Sequence, residues 1–153
     1  SLEQSAEDGS QLRCGPFTSV KDISMSIKVG QQAPGLDLAL QAYDRTKDGG
    51  DDQFQGLKLS DYNGKWVCLF FYPLDFTFVC PSEILAMGSR TAKLNELGCE
   101  VVGVSVDSHF THNAWRNTEV SDGGIGAVPF TLAADMTRKI SKKYGILSKG
   151  ASC

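Results

Sequence analysis

The run Trp66-Val67-Cys68-Leu69-Phe70-Phe71-Tyr72 limits what this chain can fold into more than any other stretch. It follows an Asn63-Gly64 turn signal and offers no polar face to water. A short apolar run of this kind predicts a central strand covered by helices on both sides. The text that follows alternates. Pro81–Leu97 predicts a helix of about four turns, with Ile84, Met87 and Leu94 on one side and Gly98 at its end. Glu100–Val106 predicts a second buried strand, and Asp107 and Ser108 offer N-cap oxygens to a helix running through Trp115. Phe130–Ala134 predicts a third strand. Asp135 is then expected to cap a helix carrying Met136, Ile140 and Tyr144 at four-residue spacing, closed by Gly145. Strands alternating with helices predict an α/β fold with a largely parallel sheet.

Upstream the signals weaken. Leu36, Leu38 and Leu40 alternate as in a half-buried strand, and Asp44–Gln55 reads as an exposed connection. Residues 1–28 are polar and mixed in charge, which predicts a mobile leader ahead of one domain over 29–153. At 153 residues the chain has room for one domain with a proper core. The net charge of −3 argues against a dedicated nucleic-acid surface. No apolar run approaches the roughly 20 residues of a membrane-spanning helix. Five cysteines without regular spacing are not a disulfide framework, so a reducing, cytoplasmic setting is expected. With no C-x-x-C, dithiol exchange within one short loop and the common zinc spacings are both disfavoured.

The chemistry concentrates in Pro73-Leu74-Asp75-Phe76-Thr77-Phe78-Val79-Cys80-Pro81-Ser82-Glu83. Cys80 stands where a helix should begin, three residues after the Thr77 hydroxyl. A cysteine is a strong nucleophile only as a thiolate, and a helix N-terminus offers free N–H groups and partial positive charge to one. Glu83 sits where a capping-box acid belongs if the helix starts just after Cys80.

This segment resembles the peroxiredoxin signature Pro-x-x-x-Thr/Ser-x-x-Cys, with Pro73, Thr77 and Cys80 in its three places. Phe70-Phe71-Tyr72-Pro73, Cys80-Pro81-Ser82-Glu83, Gly98-Cys99-Glu100-Val101, Val104 to Ser108 and Phe110 to Trp115 are similar to the typical 2-Cys branch, also called the alkyl hydroperoxide reductase or thiol-specific antioxidant family. The resemblance runs from about Val29 to Gly145. It implies a thioredoxin-like α/β fold and a thiol-dependent peroxidase acting on hydrogen peroxide and organic hydroperoxides. Cys80 would be the nucleophile, passing through a sulfenic acid. Thr77 would orient the peroxide, Pro73 would shield the thiol, and Glu83 would help to position an arginine. Neither metal nor other cofactor is implied. A resolving cysteine from a second subunit and a thioredoxin-like reductant would regenerate the thiol, in a homodimer able to close into a decamer. The family's arginine strand, its last helix and its Val-Cys-Pro resolving segment have no match here. The chain is therefore expected to be part of a longer protein, and to be poorly stable and weakly active if complete. Gly123-Gly124-Ile125-Gly126 resembles the loop of easily over-oxidised members. Some relatives also act as chaperones or redox-signalling partners, which is the alternative reading.

Plainer readings apply elsewhere. Cys68 and Cys99 are expected in the core, and Cys14 and Cys153 as incidental thiols. Trp66 and Trp115 are expected as core aromatics. His109 and His112 should cap or pack their helix, since no further ligand stands at metal-binding spacing. Arg138, Lys139, Lys142 and Lys143 read as a solvated face near a helix C-terminus.

Overall fold

The computed structural model describes residues 27–34, 40–43 and 54–147. The leader through residue 26, Leu36, Leu38, residues 44–53, Cys14 and Cys153 lie outside the described residues. Five strands form one sheet: β1 (Leu40–Tyr43), β2 (Phe54–Leu57), β3 (Trp66–Phe71), β4 (Cys99–Ser105) and β5 (Thr131–Ala134). Their order is β2-β1-β5-β4-β3. β3, β4 and β5 run parallel, while β1 pairs antiparallel with both β2 and β5. The sheet is therefore mixed, with a parallel half that carries the chemistry.

Each parallel crossover is made by a helix, because parallel neighbours cannot be joined by a tight turn. α1 (Cys80–Glu96) joins β3 to β4, and α2 (His109–Asn117) joins β4 to β5. Side chains from α1 and α2 meet one face of the sheet in a cluster of Tyr72, Cys80, Ile84, Val101, Trp115, Ile125, Val128, Phe130 and Leu132. On the other face, Leu57, Val102, Val104, Ala133 and Ile140 pack together, with Ile140 coming from α3 (Lys139–Lys143). A fully buried isoleucine such as Ile84 or Ile140 contributes about 2 kcal/mol by leaving water. A Cβ at Gly103 in β4 would stand 2.9 Å from Phe70 Cζ and 3.0 Å from Leu132 Cδ2, so those side-chain ends would have to shift.

The structure departs from the sequence reading at five places. β3 is an edge strand of the described sheet, and Trp66 at its start is 78 % exposed while Trp115 is fully buried. An apolar run shows that both faces are covered, and both are, but it carries no information about neighbours along the hydrogen-bonding direction. Phe54 and Gln55, read as connection, belong to β2. α1 begins at Cys80, so Glu83 sits one position beyond the capping-box place and makes no cap hydrogen bond. Ser108 alone caps α2, accepting from Thr111 N at 3.1 Å, while Asp107 faces the loop after β3. Met136 is exposed outside α3, because Arg138 adopts a left-handed φ of 57° and delays the helix to Lys139. Asp135 nonetheless reaches the helix start, accepting from Ile140 N at 3.2 Å and Ser141 N at 2.8 Å.

Candidate active site

The site forms where β3 ends and α1 begins. Tyr72 extends the strand pairing through its N–H to Val104 O at 3.0 Å, and Pro73–Val79 then loops across the carboxyl ends of the parallel strands. Such an end, at the sheet's strand-to-helix turns, is where α/β folds place their ligands.

Asp75 anchors the loop. Its carboxylate accepts from the Tyr72 hydroxyl at 2.8 Å and from His112 Nδ1 at 2.6 Å. Its own N–H donates to Asp107 Oδ2 at 2.9 Å, and Ser105 Oγ donates to that same oxygen at 2.6 Å. Asp75 and His112 are buried, so these bonds act where water does not compete. With a carboxylate on Nδ1, that nitrogen carries its proton, and the buried Nε2 is left without a hydrogen-bond partner. Burial, then the Asp75 charge, pushes the Tyr72 hydroxyl far above its ordinary value, which keeps it a neutral donor. Phe76 takes a left-handed φ of 53° beside this anchor and lays its ring 5.9 Å from Trp115. A non-glycine in that region costs on the order of 1 kcal/mol, and the Asp75 network holds it there.

Cys80 opens α1 and is 6 % exposed, its side chain within the same apolar cluster as Ile84, Trp115 and Ile125. The first N–H groups of a helix lack intrahelical partners, so Cys80 N–H is available beside its own sulfur. The Thr77 hydroxyl donates to Leu74 O at 3.2 Å. That bond occupies its single proton and leaves its lone pairs to accept from an O–H group. Pro73 is exposed and lines a cleft of about 310 Å³ with Phe71, Tyr72, Val104, Ser105, Val106, Ser141, Ile146 and Leu147. Neither Cys80 nor Thr77 lines it. Glu83 is exposed.

Arg116 is buried and donates to Phe130 O at 3.1 Å and Val128 O at 2.9 Å, tying α2 to the approach of β5. Arg90 and Arg138 are exposed. His112 turns into the Asp75 network. His109 stacks on Phe110 at 4.1 Å, its pKa lowered first by burial and then by the charge of His112. Among the described residues no set of three or more His, Cys, Asp or Glu is arranged to hold a metal. The loop after α2 packs tightly: Ile125 is 2 % exposed and donates its N–H to Trp115 O at 3.2 Å, and Trp115 Nε1 donates to Gly123 O at 3.0 Å.

Sequence reasoning named Cys80, Thr77 and Pro73 but missed Asp75, Tyr72 and His112 as a unit. One signal was available. His112, Trp115 and Arg116 share the buried side of α2, and a histidine there needs a polar partner.

A parallel half-sheet followed by a helix whose first residue is a buried cysteine defines a thioredoxin-like thiol protein. The AhpC/TSA family profile matches residues 29–152, and the chain belongs to that family. It is 59 % identical to bovine (Bos taurus) peroxiredoxin-2 over 99 residues, which are 65 % of this chain and 50 % of that protein. Identity to peroxiredoxin-1 of Gekko japonicus is 56 % over 99 residues, again 65 % of this chain and 50 % of the relative. Among solved structures, the reduced 2-Cys peroxiredoxin of Plasmodium vivax superposes with a TM-score of 0.71 at 41 % identity, covering 82 % of this chain and 62 % of that one. The chain spans about half the length of the curated relatives it matches.

Proposed function

We propose that the chain carries the peroxide-reducing half of a thiol-dependent peroxidase, with Cys80 as its nucleophile. The observation that carries this reading is the burial of Cys80 at the first position of α1, behind a loop pinned by Asp75. The Cys80 sulfur, as thiolate, attacks one oxygen of a hydroperoxide. A sulfur–oxygen bond forms, the oxygen–oxygen bond breaks, and the departing alkoxide or hydroxide takes up a proton. The product at Cys80 is a sulfenic acid. Thr77 accepts from the peroxide O–H, the Cys80 N–H donates to the oxygens, and Pro73 flanks the loop. Hydrogen peroxide and small organic hydroperoxides suit a sulfur so little exposed.

Regeneration by a resolving thiol of a second subunit and a thioredoxin-like reductant completes the cycle, in a homodimer able to close into a decamer. A cytoplasmic location follows from the free-thiol usage, and subcellular fractionation tests it. The Ile125 loop shares the core cluster of Cys80, which supports sensitivity to sulfinic acid formation: a braced helix start delays the unwinding that would hand the sulfenic acid to a resolving thiol. Peroxide consumption coupled to thioredoxin oxidation tests the peroxidase reading. Cys80→Ser should abolish turnover while leaving the fold intact by circular dichroism. Undiminished turnover in that variant would remove Cys80 from the mechanism.

A further inference from the structure

Cys68 and Cys99 are each expected from the sequence to be core thiols; both are partly exposed, and the strand register sets them near one another. Parallel pairing sets Trp66 opposite Cys99 and Cys68 opposite Val101. Cys68 and Cys99 are thus diagonal neighbours on one face of adjacent strands, the face on which Cys68 and Val101 pack against the α1 cluster. Both are free thiols of intermediate exposure. The sheet is open at this end: Trp66 is 78 % and Leu97 67 % exposed. The Cys99 thiol donates to Glu100 O at 3.7 Å, a weak contact that a stronger ligand bond can replace.

Distance decides what such a pair can do. Strands about 4.8 Å apart with a rise of about 3.3 Å per residue put diagonal Cα atoms about 8 Å from each other. A disulfide needs about 7 Å or less, so direct oxidation of this pair is blocked without backbone movement. A cation inserted between the sulfurs changes the span. Metal–thiolate bonds of about 2.3 Å separate two sulfurs by up to about 4.6 Å, where a disulfide holds them about 2 Å apart. The reach between Cα atoms then grows to about 9 Å, which includes this pair.

We propose that Cys68 and Cys99 form a two-sulfur site for a soft, thiophilic cation of low coordination number, with Cu(I) chemistry, clipping β3 to β4. Softness follows from an all-sulfur donor set. Low coordination number follows because no third His, Cys, Asp or Glu joins them among the described residues, whereas structural zinc requires four ligands. Binding replaces two S–H bonds by two metal–sulfur bonds and releases two protons, and the cation keeps its oxidation state.

The test uses the 153-residue chain with Cys14→Ser, Cys80→Ser and Cys153→Ser, leaving only this pair. Anaerobic titration with Cu(I) against a chromophoric chelator should give one cation per chain, and either Cys68→Ser or Cys99→Ser should weaken binding at least tenfold. In the unsubstituted chain, one equivalent of Cu(I) should protect Cys68 and Cys99 together from maleimide alkylation mapped by mass spectrometry, which needs no variant to fold. Binding that survives loss of either sulfur, alkylation protection of only one of them, or a Cys68–Cys99 disulfide formed by diamide would each overturn the proposal.

Discussion

Three stretches of chain converge on Asp75: the end of β3 through Tyr72 and α2 through His112 meet its carboxylate, and the segment after β4, through Asp107, accepts from its N–H. Removing the carboxylate takes away the acceptor shared by a buried hydroxyl and a buried imidazole, leaving them only their long mutual contact of 3.4 Å. Asp75→Ala should therefore cost about 3 kcal/mol of stability in urea unfolding, the scale for breaking a buried pair by deleting one partner. It should also slow peroxide attack on Cys80 more than tenfold at temperatures where the variant stays folded, because the loop loses its anchor. An Asp75→Ala chain that melts and reacts like the parent would show that the network is incidental. At this scale the sequence was half legible. Cys80, Thr77 and Pro73 stand within eight residues and their chemistry is local. The Asp75–His112 bond joins residues 37 apart, a separation at which spacing carries no geometric information. Trp66 failed for a related reason: hydrophobicity predicts burial only where a neighbour exists to provide it, and Trp66 stands at the open start of β3.

Between elements, the loop after α2 is the tightest junction. A Cβ at Gly124 would lie 1.9 Å from Thr118 O, so backbone rather than a flexible side chain would have to move. Gly124→Ala should lower stability by more than about 2 kcal/mol, beyond the usual cost of overpacking, and should shift the Trp115 fluorescence that reports on this contact. Unchanged stability would mean the loop is not held against α2. β3 offers a second check. Trp66 N–H bonds Gly98 O and Tyr72 N–H bonds Val104 O, so the even-numbered amides of the strand face β4 and the odd-numbered ones face an edge that no strand covers among the described residues. Residue-resolved hydrogen exchange should find Val67, Leu69 and Phe71 fast, and Cys68 and Phe70 slow. Equal protection on both sides would reveal another strand on that edge. The helices and parallel strands were legible because hydrophobic period and capping residues are local signals. The order of strands was not, since pairing is chosen by the whole sheet. The start of α1 was misplaced by one residue, which is enough to move Glu83 out of its capping role.

For the whole molecule, tyrosine burial predicts a limit on the alkaline side. Tyr62, Tyr72 and Tyr144 are all raised above the ordinary tyrosine value of 10.0, each by burial first. The folded chain holds these protons more tightly than the unfolded chain does. The resulting stability is full below pH 10 and is lost as pH rises beyond it. Urea midpoints should fall progressively above that pH, most of all through Tyr72, and a midpoint independent of alkaline pH would contradict the assigned burial. The same core that shelters Tyr72 also encloses Cys80, so fold and chemistry rest on one apolar cluster. The central claim is that this enclosed sulfur, and no other in the chain, is the one that meets peroxide. Brief exposure of the reduced protein to one equivalent of hydrogen peroxide in the presence of dimedone, followed by peptide mapping, measures it directly. The account predicts the sulfenic acid adduct on Cys80 before any other cysteine is modified; adduct on Cys14, Cys68, Cys99 or Cys153 with Cys80 untouched would contradict it.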